Sequence, residues 1–232
     1  MLTSLMPTLA EWHTIGISVV IAGRAVLVAL PIAVALGWVL ARRRFWGRTM
    51  LDALLHASLF LPPVVVGFAL LLVFGAQGPL GRLLGQMGIE LVFTSGGASL
   101  AAGVMAFPLM LRAVRQAIEA VDPRLEAMAA SLGAGFWDRT FTITLPLALP
   151  GLVAAAIIGF AACLGEFGAV ITFAANIPGE TQTLALAIYS ALQMPQGDAV
   201  AMRFATLSLC VAVAAFLASE ALLAWGRQRA GL

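Results

Sequence analysis

The chain has 232 residues and a formal net charge of +2, with 62% hydrophobic and 10% charged residues. Soluble domains are about one quarter charged, so this composition indicates an integral membrane protein. The apolar residues form long blocks, which favour transmembrane helices over the weak alternation of β-barrel strands. All 13 basic residues are arginine, which excludes a Walker A lysine and therefore ATP binding through a P-loop on this chain.

Five apolar runs are long enough to cross a bilayer, because about 20 helical residues span its hydrocarbon core. We predict transmembrane helices at about 14–40, 51–74, 98–118, 147–174 and 203–226. A further stretch, 181–194, is too short to span and is predicted to be a shallow or re-entrant helix. The predicted fold is an all-α integral membrane protein, with residues 1–232 in one transmembrane domain and a loop at 119–146 outside the membrane.

The arginines predict the orientation of these spans. Most of them follow the first and third apolar runs or lie in the C-terminal tail: Arg42, Arg43, Arg44, Arg48, Arg112, Arg115, Arg124, Arg139, Arg227 and Arg229. The opposite side holds Arg82 and Arg203. Because positively charged loops stay in the cytoplasm, the loop at 119–146 and the C-terminus are predicted to be cytoplasmic and the N-terminus to lie outside.

Two prolines interrupt the second apolar run. Pro62 and Pro63 remove two backbone donors and must break or kink a helix there. Unpaired carbonyls at membrane depth are tolerated only inside protein or beside a water-filled cavity. We therefore predict that Pro62, Pro63 and Gly67 line a transport pathway, and a kinked packing helix is the alternative.

One acid lies deep in the fourth apolar run. Glu166 is followed by Gly168, and an acidic side chain at such depth is expensive and functional by default. We predict that Glu166 and Gly168 belong to the pathway or its gate. The alternative is that Glu166 forms an ion pair or caps a backbone group and so fixes helix packing. Arg24, the only arginine deep in a span, either pairs with Glu166 or extends toward the interface.

A short polar helix is predicted between the third and fourth runs. Asp122 and Pro123 are typical of a helix start, and Gly133 is typical of a helix end. One face of this helix then carries an acid and three small residues: Glu126, Ala129, Ala130 and Gly133. Such a face cannot form a core but allows close approach, so we interpret it as a docking surface for another protein.

The same stretch resembles the EAA loop of bacterial ABC-importer permeases. The residues at the signature positions are Glu126, Ala127, Ala129, Gly133, Ile143, Leu145 and Pro146. In that family the loop is a cytoplasmic coupling helix that sits in a cleft of the ATPase subunit. The resemblance therefore implies that these residues couple the chain to an ATPase.

The likeness extends over nearly the whole chain. Residues 61–67, 107–110, 132–135, 142–147, 164–169 and 176–181 together resemble the permease subunits of molybdate ABC transporters. Sulfate and thiosulfate permeases share the loop and a similar segment around Glu166, so they are the close alternative. An autonomous secondary transporter is a weaker one.

The resemblance to molybdate permeases implies a type I importer permease in the bacterial inner membrane, with its N-terminus in the periplasm. It implies a homodimer, two ATPase subunits that hold ATP and Mg²⁺, and a periplasmic molybdate-binding protein. The chain itself is then no enzyme and is expected to bind no metal, cofactor or nucleic acid.

Overall fold

A computed structural model describes residues 8–229, with side chains up to residue 218 and at residue 221. Residues 1–7 and 230–232, which hold the two termini of the predicted topology, lie outside the described residues. Every regular element between 8 and 229 is helical: α1 (Leu9–Arg42), α2 (Arg48–Leu55), a 3₁₀ turn (Ala57–Leu59), α3 (Pro63–Phe74), α4 (Pro79–Gln86), α5 (Ser95–Glu119), α6 (Pro123–Ser131), α7 (Phe136–Arg139), a π-helical turn (Thr140–Thr144), α8 (Leu145–Gly165), α9 (Gly168–Ala174), α10 (Leu184–Leu192) and α11 (Asp198–Arg229).

Four of the described helical stretches are long and apolar enough to cross a membrane. They are Leu9–Arg42, Ser95–Glu119, Phe136–Gly165 and Asp198–Ala218, and the third combines α7, the π-helical turn and α8. The bent pair α3 and α4, which meet at 51°, makes a fifth if it counts as one span. The all-α membrane fold is thus confirmed, and α1, α5 and α11 correspond to three of the predicted spans.

The transmembrane helix predicted over 51–74, with a break or kink at Pro62 and Pro63, consists of separate helices in the structure. Helix α2 ends at Leu55, and α3 starts afresh with Pro62 as its N-cap and Pro63 as its first residue. Prolines fit that position because the first helical N–H groups have no intrahelical partner. The break at Pro62 and Pro63 is therefore confirmed, although it separates two helices instead of bending one.

The prediction of one helix over 147–174 is wrong. Helix α8 ends at Gly165, and α9 begins at Gly168 after Glu166 adopts extended backbone angles of φ −71° and ψ 128°. The Glu166 carboxylate accepts a hydrogen bond from the Ala169 N–H at 2.9 Å and so satisfies a donor in the first turn of α9. The short helix predicted at 181–194 is present as α10, and its depth in the membrane stays a prediction.

Small side chains let α1 and α5 pack closely at the centre of the bundle. The shared core contains rows of alanines: Ala22, Ala25, Ala29 and Ala33 on α1, and Ala98, Ala101, Ala102 and Ala106 on α5. At Gly37 the two helices are so close that a Cβ would lie 2.8 Å from the Val114 side chain. This packing brings the end of α1 beside the segment that follows α5. That residues 1–232 form one domain stays a prediction.

Candidate functional site

Helix α6 is built as its sequence predicts. The Asp122 carboxylate accepts a hydrogen bond from the Arg124 N–H at 2.9 Å, and Pro123 is the first helical residue. Beyond the last residue, Ser131, the chain leaves the helix through Gly133, whose φ of +90° is a left-handed conformation. The short helix therefore has well-defined ends on both sides.

The carboxylate of Glu126 is held by two residues from other elements. Thr144, a fully buried residue of the π-helical turn, donates its hydroxyl to Glu126 Oε1 at 2.6 Å. Arg42 Nη2, at the end of α1, lies 3.1 Å from the same oxygen and donates to the Val121 carbonyl at 2.9 Å. This Arg42–Glu126–Thr144 cluster ties α6 to α1 and to the start of α8.

The face of α6 that carries Glu126 is partly covered by the chain itself. Within α6, Glu126 and Ala129 are the residues that are partly buried, and the others are exposed. The predicted docking face is thus partly covered at Glu126, which contacts Arg42 and Thr144, whereas Ala130 and Gly133 are exposed, and docking of another protein on this face stays a prediction. The part that Glu126, Ala127, Ala129 and Gly133 play in ATPase coupling stays a prediction.

The outward face of the loop is apolar. Leu125, Met128 and Leu132, at spacings typical of one helical stripe, are 43%, 65% and 88% exposed. In the segment that follows α6, Trp137 and Phe141 are also exposed and stack on each other with ring centroids 6.0 Å apart. Several large apolar side chains exposed on one short helix are typical of an interaction site. The helical spacing of the apolar residues at 125, 128 and 132 could have predicted this face from the sequence.

The remaining motif residues lie where the loop returns to the bundle. Ile143 and Leu145 are half-buried and Pro146 is exposed. Because Pro146 has no N–H, it cannot donate the next α-helical hydrogen bond, and the wider π-helical turn ends two residues before it. In that turn the Leu145 N–H donates to the Thr140 carbonyl. The motif's proline thus coincides with a local irregularity in an otherwise continuous helix.

Gly133 provides a test of the loop's backbone geometry. A side chain there meets no atom within 4 Å, but φ is +90°, and left-handed backbone costs an L-residue about 1–2 kcal/mol. We expect Gly133→Val to abolish ATP-driven uptake while membrane insertion stays normal, measured by proteoliposome transport and membrane fractionation. The control is Gly135→Val, since Gly135 is also unobstructed but has an ordinary φ of −67°. Equal losses in both variants would contradict a conformational role.

The pathway candidates meet at the junction of α3 and α9. A Cβ on Gly168 would lie 2.7 Å from Pro63 Cβ, and a Cβ on Gly67 would lie 2.8 Å from the Ala169 carbonyl. Both glycines therefore permit a close approach of the two short helices. Pro62 and Pro63 are exposed at one end of this junction, and Glu166 lies at the start of α9. The structure thus brings Pro62, Pro63, Gly67, Glu166 and Gly168 together.

The proposed pairing of Arg24 with Glu166 is wrong. Arg24 Nη1 donates instead to Ser95 Oγ at 3.4 Å, and no ion pair joins Arg24 to Glu166 among the side chains that the structure describes. The hydrogen bond from Ala169 supports the alternative in which Glu166 caps a backbone group. A gating role for Glu166 stays a prediction.

A second polar cluster, which the sequence did not predict, joins α2 to α5. Arg115 lies 2.9 Å from an Asp52 carboxylate oxygen and 2.8 Å from Glu119. His56 Nδ1 also lies 3.2 Å from Asp52. Of these contacts, the one between Arg115 and Asp52 joins the separated helix α2 to the end of α5, although no spacing in the sequence links the two residues.

Comparison with known proteins decides the family. The family described as "Binding-protein-dependent transport system inner membrane component" matches residues 33–224. The chain belongs to this family of transport permeases. The permease is 48% identical over 222 residues to the "Molybdenum transport system permease protein ModB" of Escherichia coli (strain K12), covering 95% of this chain and 97% of that protein.

Two further relatives, one molybdenum permease and one sulfate permease, are less similar to this chain. The "Molybdenum transport system permease protein ModB" of Haemophilus influenzae is 43% identical, with 90% of this permease and 92% of that protein covered. The "Sulfate transport system permease protein CysT" of Escherichia coli (strain K12) is 36% identical, with 75% of this permease and 64% of that protein covered. Both identity and coverage are thus lower for the sulfate relative.

Solved structures confirm the permease fold. A bacterial alginate ABC transporter in complex with an alginate pentasaccharide-bound periplasmic protein matches with a TM-score of 0.73 and 18% identity, covering 94% of this permease and 80% of that chain. The MetNI methionine ABC transporter in inward-facing conformations matches with a TM-score of 0.68 and 19% identity, covering 94% of each chain. The predicted type I importer permease architecture is therefore confirmed.

Proposed function

We propose that this chain is the permease subunit of an ATP-driven importer that moves molybdate across the bacterial inner membrane. The observation that carries the proposal is the 48% identity to a molybdenum permease over nearly the full length of both chains, against 36% and partial coverage for a sulfate permease. Sulfate or thiosulfate transport is the second candidate, because that relative shares most of the chain.

The proposed assembly contains two copies of this chain, two ATPase subunits and a periplasmic molybdate-binding protein. ATP and Mg²⁺ belong to the ATPase subunits, since the chain has no lysine for a Walker A motif. In this arrangement the N-terminus is periplasmic, and the loop at 119–146 and the C-terminus are cytoplasmic. The exposed apolar face formed by Leu125, Met128 and Leu132 supports docking of this loop on an ATPase.

ATP-driven closure of the two ATPases would move both coupling loops together. The Arg42–Glu126–Thr144 cluster supports transmission of that movement, because it joins α6 to α1 and to the continuous helix from α7 to α8. In this mechanism, displacement of α6 carries the ends of two membrane-spanning helices with it. Coupling then depends on a few polar contacts rather than on the surface of α6 alone.

The cargo is a dianion, which cannot cross hydrocarbon unless polar groups replace its hydration shell. The junction of α3 and α9 supports a pathway there, because both helices start at this junction and the first turn of a helix has N–H groups without intrahelical partners; the Ala169 N–H is bonded instead to the Glu166 carboxylate. Two copies of this junction would line a route between the subunits. Substrate affinity resides in the binding protein, so the pathway needs only weak, transient contacts.

Uptake into proteoliposomes that contain this chain, its ATPase and its binding protein tests the proposal. We expect labelled molybdate to enter only with ATP, and excess tungstate but not excess sulfate to block it. Block by sulfate as effective as block by tungstate would assign the chain to sulfate transport. Uptake that persists without the ATPase would indicate an autonomous secondary transporter and overturn the importer mechanism.

A further inference from the structure

A polar cavity of about 190 Å³ lies between the end of α1 and the segment that joins α6 to α8. Three guanidinium groups and one carboxylate line it, from Arg42, Arg43, Arg139 and Glu126. Trp38 forms another part of the wall. The cavity is separate from the junction of α3 and α9 and from the apolar outward face of α6.

Two lining residues carry buried donors without acceptors. Trp38 Nε1 and Arg42 Nε are inaccessible to solvent and have no hydrogen-bond partner among the described residues. Nearly all buried N–H groups in proteins have an acceptor, so two such donors beside one cavity need an explanation. Because neither donor is open to the cavity, a ligand with several oxygen atoms would supply acceptors for both once the two side chains turn toward it.

The positive charge around the cavity exceeds the negative charge. Glu126 is already engaged by Arg42 and Thr144. Arg43 lies over the Trp38 ring at 5.7 Å, and Arg139 donates to the carbonyls of Gly135 at 3.3 Å and Glu126 at 3.5 Å. Among the side chains described, neither Arg43 nor Arg139 pairs with a carboxylate. Their charges therefore remain available to an anion.

We propose that this cavity binds a tetrahedral oxyanion of the phosphate type. Guanidinium groups match such anions in geometry and charge, and the Trp38 N–H adds a directional donor. The group arrives either as a free inorganic oxyanion or as the phosphate of a phospholipid headgroup, because the cavity lies at the C-terminal end of α1, a helix long and apolar enough to cross a membrane. Bound there, it bridges α1 and the segment after α6 and strengthens the attachment of the coupling loop.

The test uses the assembled complex of this chain with its ATPase, so that any residues buried by the ATPase in the transporter are also buried during the measurement. One arm measures binding of radiolabelled orthophosphate by equilibrium dialysis in detergent without phospholipid. The other arm uses native mass spectrometry to count phosphatidylglycerol molecules retained by the complex. Binding in the first arm identifies a free oxyanion as a ligand, and specific retention in the second identifies a lipid headgroup.

Variants in this chain separate the cavity from phosphate sites on the ATPase, which stays unchanged. Trp38→Phe keeps the ring packing but removes one donor, and we expect binding about tenfold weaker. The double variant Arg43→Gln with Arg139→Gln should lose nearly all of it, while Arg42 stays in place for Glu126. Arg44→Gln is the matched control, because Arg44 lies in the same arginine run but does not line the cavity.

Two outcomes would overturn the proposal. In one, neither probe distinguishes the natural complex from the double variant, which would mean that the cavity holds no oxyanion in the assembled transporter. In the other, Arg44→Gln weakens binding as much as the double variant does, which would mean that binding depends on the net positive charge of this region and not on the cavity. Co-purification with the ATPase checks that each variant assembles. If the double variant does not assemble, Trp38→Phe is the test, and unchanged binding in that variant would overturn the proposal.

Discussion

Glu126→Lys should abolish ATP-driven uptake while the chain still inserts into the membrane. The substitution places a second positive charge where Arg42 Nη2 now lies 3.1 Å from a carboxylate oxygen, and it removes the acceptor for the buried Thr144 hydroxyl. Both partners are largely buried, with 11% and 22% of the Arg42 and Glu126 side chains exposed. Breaking such a pair costs about 3 kcal/mol, which is enough to release α6 from α1.

The measurement is uptake by proteoliposomes, normalised to the amount of inserted chain and accompanied by the rate of ATP hydrolysis. Glu126→Gln is the milder control, since its amide oxygen still accepts from Thr144, and it should retain part of the uptake. The charge swap of Arg42→Glu with Glu126→Arg restores opposite charges and should recover much of the activity. Normal uptake by Glu126→Lys would contradict the role of the cluster in coupling.

The charge swap also separates two roles for Glu126. Recovery in the swap means that Glu126 acts through Arg42, as the structure indicates. No recovery, together with lost binding of the ATPase, means that Glu126 contacts the ATPase directly in the assembled transporter. The second result would show that Glu126 exchanges its contacts with Arg42 and Thr144 for the ATPase on assembly.

Local sequence signals predicted the helix ends well. At α6, a helix-starting Asp–Pro pair and a terminal glycine act on their own backbone, so no distant contact is needed to recognise them. The break before α3 was equally predictable, because the lack of an N–H in Pro62 and Pro63 is a property of those residues alone. Long apolar runs likewise gave α1, α5 and α11.

Features that depend on distant partners were not predictable. Glu126 pairs with Arg42, which is 84 positions away along the chain. From the sequence, Arg42 indicated only the orientation of the chain in the membrane. The end of α8 was missed for a local reason, because apolar residues continue past Glu166 without a proline. The Glu166 carboxylate bonds the Ala169 N–H three residues further on, and hydropathy does not register such a bond; the alternative that Glu166 caps a backbone group was the one signal for it.

Gly67→Ala and Gly168→Ala should each destabilise the chain and strongly reduce uptake. The new Cβ at 168 would lie 2.7 Å from Pro63 Cβ, and the one at 67 would lie 2.8 Å from the Ala169 carbonyl. Neither a proline ring nor a backbone carbonyl can rotate away, so α3 and α9 must separate. Overpacking of this kind costs about 1–3 kcal/mol. Thermal unfolding in detergent measures the loss, and proteoliposome uptake measures its effect on the pathway.

Gly165→Ala is the matched control, because it lies three residues before Gly168 and a Cβ there meets nothing within 4 Å. We expect its unfolding temperature and uptake to stay near those of the natural chain.

The double variant of Gly67→Ala with Gly168→Ala should lose less stability than the two single losses combined, since either substitution already opens the same contact. Strict additivity, or an equal loss from Gly165→Ala, would contradict the close packing of α3 on α9. Unchanged stability with lost uptake would instead place the two glycines in the pathway itself, where added methyl groups obstruct the anion.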